Sequence, residues 1–208
     1  MDQINKVKSI SIWIFIIPFF AVNTCLVLIT QFHGLFPNQE DIIWSTFPYI
    51  DGGASISRTA RPYPSWLIFK PAMFLTSFLL IKYWLYNKKI IEFFDKDNKY
   101  KKKIIYFGIA SAIALIVHSI FLGIKFDNDF YKLFRRIIML SFIIFEIVAQ
   151  AYLSTLIVVA FISIPIISLP GNNFLGFNLK FFKHALEWDY FLGVISFYML
   201  TYFMWKKN

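Results

Sequence analysis

The chain has 208 residues, of which 58% are hydrophobic and 21% aromatic, so it is far more apolar than a soluble domain. Its formal net charge of +9 would suit a nucleic-acid partner. Seven of the lysines, however, lie in one short loop, and attraction to anionic lipid explains that loop. Composition therefore excludes a soluble enzyme or a nucleic-acid binder and indicates an integral membrane protein.

Apolar runs of about 18–22 residues are long enough to cross the hydrocarbon core of a bilayer as helices. The sequence contains six such runs, so we predict an all-α bundle of six transmembrane helices that forms a single domain over residues 1–208. The predicted spans are 10–31, 65–86, 104–123, 133–152, 154–170 and 187–205. Residues 137–169 form one nearly unbroken apolar run, which leaves open a single long helix in place of spans four and five.

Lysine predicts the orientation of these spans, because cytoplasmic loops carry an excess of positive charge. Seven lysines lie in the connection 87–103, and others lie close to both termini, at Lys6, Lys8, Lys206 and Lys207. With six spans, these three regions share one side, so we expect both termini in the cytoplasm. The segments 32–64, 124–132 and 171–186 are then expected on the outer side. The membrane itself is expected to be a bacterial inner membrane, a eukaryotic endomembrane or a plasma membrane.

The first outer segment contains a polar hairpin between two strongly apolar spans. This hairpin carries Asp51, Arg58 and Arg61, and the chain's other two arginines, Arg135 and Arg136, fall on the same predicted side. Arginine presents a planar fork that suits bidentate contact with phosphate or carboxylate. The pattern predicts binding of an anionic group at the outer surface. A simpler interpretation is that these arginines pair with nearby acids or reach the lipid headgroups without a specific site.

Several predicted spans also carry polar side chains, which are costly in hydrocarbon and usually face the interior of a bundle. These residues are Lys70, His118, Arg135, Glu146, His184 and Glu187. Arg135 and Glu146 share one helical face, and Ser111 and His118 share another. We expect His118, Arg135, Glu146 and His184 to surround one cavity in the outer half of the membrane. The alternative is that each is a packing residue with a local hydrogen bond.

Other chemistries find little support in the sequence. The single cysteine, Cys25, excludes an intramolecular disulfide and a thiolate zinc site. Three scattered histidines show no metal-binding spacing, and Asp51-Gly52-Gly53 is more simply a turn than a phosphate loop. We therefore predict no metal and no cofactor.

Three short motifs resemble the FRAG/DRAM/Sfk family. They are the hairpin with its acidic-glycine turn, the Arg61-Pro-Tyr-Pro-Ser-Trp entry to the second span, and the Glu187-Trp188 pair that opens the last span, which ends near Thr201-Tyr202-Phe203. That family includes damage-regulated autophagy modulators and factors that remodel the lipid of GPI anchors. The resemblance implies six spans and a role in lipid remodelling.

The leading hypothesis is a membrane protein that binds an anionic lipid headgroup on the outer side and takes part in lipid remodelling or sorting. Whether it is an enzyme is left open. For acyl transfer or hydrolysis, His118 or His184 would be the base, and Glu187 or Asp51 would orient it. One alternative is a non-enzymatic scaffold or chaperone for partner membrane proteins. A less favoured alternative is a small transporter in which Glu146 and His118 form a proton path.

Overall fold

The computed structural model describes residues 2–94, 99–124, 129–153, 173–174 and 177–204. Within these ranges the protein is almost entirely helical. Its helices are α1 (Asp2–Gln31), α2 (Pro48–Asp51), α3 (Ile56–Ala60), α4 (Ser65–Phe94), α5 (Lys101–Phe121), α6 (Asp129–Leu153) and α7 (Leu179–Met204). Short 3-10 turns cover His33–Leu35 and Gln39–Asp41, and β1 (Asn173–Phe174) pairs antiparallel with β2 (Phe177–Asn178).

Four of the long helices in the described ranges are long and apolar enough to cross a membrane, namely α1, α4, α5 and α6. This observation is consistent with a multi-pass membrane protein. They correspond to the first four predicted spans, but α1 begins eight residues before its predicted span and α4 ends eight residues after its own. Helix α7 covers the sixth predicted span but is not among the four, and the fifth predicted span, 154–170, lies outside the described residues. The count of six spans and the cytoplasmic termini remain predictions.

The long helices pack as neighbours in the order α7, α1, α4, α5 and α6. Close approach of α4 and α5 depends on Gly108, because a Cβ atom there would overlap the indole ring of Trp84. The ring of Trp84 is fully buried and packs edge-on against Tyr83, with centroids 5.1 Å apart. Large aromatic side chains thus fill the interior between α4, α5 and α7.

The bundle has two distinct ends. At one, which we call the lysine end, the Lys8 ammonium lies 5.3 Å from the ring centroid of Tyr202, so the start of α1 lies beside the end of α7. Tyr100, just before α5, stacks on Tyr152 near the end of α6, with centroids 5.3 Å apart. The opposite end, which we call the hairpin end, holds α2 and α3, and these short helices contact α7 and α1.

Part of one predicted outer segment, 171–186, is helical. Residues 171–186 were expected to form a loop, but α7 begins at Leu179, eight residues before the predicted span. Its first turns are polar, with Lys180, Lys183 and His184, so hydropathy alone does not reveal them. They are helical because they form the surface on which the hairpin rests.

Candidate functional site

The hairpin, residues 46–60, is built around a turn closed by Asp51. Both of its carboxylate oxygens are used: Oδ1 accepts from Thr46 Oγ1 at 2.6 Å and from the Gly53 N–H at 2.7 Å, and Oδ2 accepts from the Phe47 N–H at 2.7 Å. Slight burial raises the pKa of Asp51, but these hydrogen bonds outweigh that effect and leave the pKa below its ordinary value. Asp51 therefore stabilises the turn.

Gly52 continues this turn as the left-handed residue that ends α2, with φ of 61°. Its backbone lies directly against the backbone of Phe181 in the first turn of α7, where a Cβ atom would overlap main-chain atoms. The Gly52 carbonyl also lies 2.9 Å from Nδ1 of His184, and since a carbonyl only accepts, Nδ1 must carry the proton. His184 thus anchors the hairpin to α7.

Trp188 and Glu187 complete the docking of the hairpin on α7. The buried indole of Trp188 donates from Nε1 to the Ala54 carbonyl at 2.8 Å and packs edge-on against Tyr49, with centroids 4.9 Å apart. The carboxyl group of Glu187 faces the backbone N–H groups of Ile56 and Ser57, the first two residues of α3. A carboxyl group at a helix N-terminus satisfies donors that lack partners within the helix.

Three of the four candidates for acid–base chemistry are therefore engaged in structural contacts. Asp51 closes the turn, His184 holds Gly52 and Glu187 faces the start of α3. Asp51 uses its oxygens on the turn instead of orienting a histidine. These contacts hold the hairpin on α7. Among the described residues, they do not pair a histidine base with a carboxylate that orients it.

A second group, the arginine cluster, consists of Arg61, His118 and Arg135. Burial lowers the pKa of Arg61, and the neighbouring positive charge of Arg135 lowers it further, while Asp41 and Tyr131 oppose the shift. The charge of Arg135 acts on His118 as well. Three cationic or ionisable groups from the entry to α4, the end of α5 and the start of α6 thus approach one another at the hairpin end.

The polar atoms of the arginine cluster are incompletely satisfied. Buried Nε atoms of Arg61 and Arg135, and Nδ1 of His118, have no hydrogen-bond partner among the described residues. Within the same ranges, no carboxylate oxygen lies within 4.0 Å of either guanidinium group. Arg135 lies over the ring of Tyr131 at 5.9 Å, a cation–π contact that does not use the Nε–H of its guanidinium group.

The remaining cationic candidates differ from this cluster. Lys70 donates to the Ile120 carbonyl at 3.3 Å, near the end of α5, and lies over the ring of Trp66. Arg58 and Arg136 are exposed. Lys70 therefore caps a helix end, and the two exposed arginines are available as comparison positions.

A third group surrounds Glu146, which is fully buried between α5, α6 and α7. Its Oε1 accepts from Gln150 Nε2 at 3.0 Å and from the Tyr198 hydroxyl, and its Oε2 lies 2.5 Å from Ser111 Oγ. Gln150 lies four residues farther along the same helix, so this partner is local. Ser111 and Tyr198 come from helices 35 and 52 residues away in sequence.

The single outer cavity predicted for His118, Arg135, Glu146 and His184 is not what these contacts show. Arg135 and Glu146 share a face of α6, but they are 11 residues apart, which is about 16 Å along a helix. His184 lies 14 residues before Tyr198 on α7, or about 21 Å from the level of Glu146. Arg135 does approach His118. The expectation was wrong because a shared helical face says nothing of depth, and Glu146 lies in the half nearer the lysine end.

Sequence reasoning missed the polar residues of α4. Tyr83 donates to Thr201 Oγ1 at 3.3 Å, and Asn87 donates to the Tyr83 carbonyl at 2.9 Å, with all three side chains buried. Asn87 falls just beyond the predicted end of the second span, so it was assigned to the lysine-rich loop. Its spacing of four residues from Tyr83 was the available signal.

No family model matches the chain, and neither the curated proteins nor the solved structures include a match. The resemblance to the FRAG/DRAM/Sfk family is thus left as a prediction that rests on the three short motifs. What the described residues establish is a multi-helix protein with a docked polar hairpin and an arginine cluster beneath it.

Proposed function

We propose that this protein binds an anionic lipid headgroup at the arginine cluster and takes part in lipid remodelling or sorting. One observation carries the binding half of the proposal: Arg61 and Arg135 lie close enough for their charges to interact, and neither forms an ion pair with the described residues. Two neighbouring positive charges repel each other, and an anion between them would remove that repulsion.

Phosphate fits this arrangement better than a simple inorganic ion such as chloride would. Each guanidinium group can donate two parallel hydrogen bonds to phosphate oxygens, and His118 could supply a further donor. The cluster lies where α4, α5 and α6 meet the hairpin end, which is where the phosphate of a lipid in the adjacent leaflet would lie. Exposed aromatic side chains at the same end, such as Trp44 and Tyr63, suit the interfacial region of a bilayer.

Lipid remodelling enters the proposal through the resemblance and through the chemistry of His118. A histidine beside a bound phosphate could accept a proton from an attacking hydroxyl group. Lipid binding and lipid remodelling can be tested separately, since a protein that only sorts lipids would release them unchanged. Incubation of the purified protein with defined phospholipids, followed by mass spectrometry of their acyl chains, distinguishes these cases.

Native mass spectrometry tests the binding site itself. The protein would be placed in nanodiscs that contain phosphatidylglycerol and phosphatidylcholine, and the lipid that stays bound after gentle extraction would be identified. We expect retained phosphatidylglycerol in the wild type and a clear loss in Arg61→Lys and Arg135→Lys, because lysine keeps the charge but not the fork.

The chain offers matched controls in Arg58→Lys and Arg136→Lys. These arginines lie close by in sequence but are exposed. Equal lipid retention in all four lysine variants would reduce the cluster to nonspecific electrostatics and overturn the proposed site.

A further inference from the structure

The hydrogen bonds around Glu146 fit a neutral carboxylic acid. Ser111 Oγ lies 2.8 Å from the Gly108 carbonyl and 2.5 Å from Glu146 Oε2, yet a hydroxyl group carries only one proton. If that proton is given to the Gly108 carbonyl, the contact with Glu146 is a hydrogen bond only when Oε2 is protonated. A neutral carboxylic acid satisfies both contacts, with Oε2 donating to Ser111 and Oε1 accepting from Gln150 and Tyr198.

The groups that face Glu146 do not supply a compensating positive charge. Helix α5 presents Ser111, and the titratable groups that interact with Glu146 from α4 and α7 are the tyrosines Tyr83, Tyr190 and Tyr198. Tyrosine hydroxyls are neutral near pH 7. Among the described residues, the direct hydrogen-bond partners of the carboxyl group are therefore all uncharged, and an ionised carboxylate buried in such a setting is strongly disfavoured.

We propose that Glu146 is a proton-binding site, and that its proton exchanges with water at the lysine end of the bundle. The site is separate from the arginine cluster, because Arg135 lies about 16 Å from Glu146 along α6, toward the hairpin end. By contrast, Tyr152, which stacks on Tyr100 at the lysine end, is only about 9 Å along the helix from Glu146.

Polar side chains continue from Glu146 toward the lysine end. The ring of Tyr198 packs edge-on against that of Tyr83, with centroids 4.9 Å apart, and the Tyr83 hydroxyl donates to Thr201. Two buried atoms close by on α4 have no partner among the described residues: the donor Nε1 of Trp84, the residue next to Tyr83, and the acceptor Oδ1 of Asn87, one turn farther along. A buried donor and a buried acceptor of this kind are ordinarily satisfied by water. Water at these atoms would extend the polar path from Glu146 toward the lysine end, which is the exchange route that the proposal requires.

Infrared spectroscopy of the purified protein in nanodiscs tests for the bound proton. We expect a carbonyl stretching band of a protonated carboxylic acid at neutral pH that shifts in D₂O and disappears reversibly at alkaline pH. Glu146→Gln should remove the band. Glu92→Gln should leave it unchanged, because Glu92 is exposed and pairs with Lys88 at 3.9 Å.

A second variant keeps the test decisive if Glu146→Gln does not fold. Tyr198→Phe removes one of the two donors to Oε1, so the same band should move to higher frequency. Absence of the band at neutral pH would show that Glu146 is ionised. A band that neither shifts in D₂O nor disappears at alkaline pH would show that Glu146 is a buried acid whose proton does not exchange with solvent. Either result overturns the proposal.

The exchange route is tested by the rate of the band shift after transfer to D₂O. Tyr83→Phe should slow that shift several-fold, because it breaks the hydroxyl link to Thr201. Ser77→Ala is the matched control: Ser77 is buried on the same helix but is nearer the hairpin end and donates to the Met73 carbonyl of its own helix. Unchanged exchange in Tyr83→Phe with slowed exchange in Ser77→Ala would place the route at the hairpin end instead.

Discussion

Docking of the hairpin depends strongly on the indole N–H of Trp188, and Trp188→Phe removes it while retaining an aromatic ring. The Ala54 carbonyl then loses a hydrogen bond of 2.8 Å at a site where both residues are fully buried. A buried carbonyl left without its partner costs about 1–3 kcal/mol. The smaller ring keeps part of the edge-on contact with Tyr49, so this range approximates the whole effect on docking.

Hydrogen exchange of the backbone amides measures this loss where it occurs. If the hairpin opens locally, a cost of about 1–3 kcal/mol accelerates exchange in residues 46–60 by about 5- to 150-fold. Exchange in the middle of α1 should not change. Trp13→Phe serves as the control, because Trp13 is 51% exposed on α1 and remote from the hairpin. Unchanged exchange in the hairpin of Trp188→Phe, or an equal acceleration in Trp13→Phe, would refute the docking described above.

Three further predictions follow from glycine packing and from the hairpin turn. Gly108→Ala forces a methyl group into a buried indole and should lower the thermal stability in detergent by about 1–3 kcal/mol. Gly193→Ala, with open space around it, should leave stability unchanged or raise it; an equal loss in both would contradict the packing. Gly52→Ala should accelerate hairpin exchange far more than Gly34→Ala, because only Gly52 has a positive φ and meets the backbone of α7. Since the pKa of Asp51 is lowered in the folded chain, its contribution to hairpin stability is present above its ordinary pKa and is lost as pH falls through the lowered value. Hairpin exchange should therefore rise in acid in the wild type, and Asp51→Asn should abolish that pH dependence.

The long helices could be predicted from the sequence because hydrocarbon imposes a length and a composition on each one. Four predicted spans correspond to helices of the structure, namely 10–31 to α1, 65–86 to α4, 104–123 to α5 and 133–152 to α6. Each helix extends beyond its predicted span at one end or both. Polar extensions of a helix, such as the lysine-rich end of α4, escape a hydropathy reading. The pairing of Glu146 with Gln150 was also predictable, because residues four apart lie on one helical face.

The roles of the hairpin residues could not be predicted, because they depend on contacts between distant parts of the chain. The contact of His184 with Gly52 spans 132 residues, and that of Trp188 with Ala54 spans 134. No local pattern reports such pairs. Asp51 was assigned to a ligand because it lies in a polar, arginine-bearing loop, whereas its oxygens complete the turn itself.

The long separation between the hairpin and its dock also has a consequence for biosynthesis. Ala54 leaves the ribosome 134 residues before Trp188, and at the usual rate of about 5–20 residues per second the hairpin waits about 7–27 seconds for its partner. During that interval α3 can already contact α1 and α4, whereas the main described contact of α2 is with α7. The contacts of the hairpin with α7 therefore form late, although α2 and α3 are among the first parts of the chain to be made.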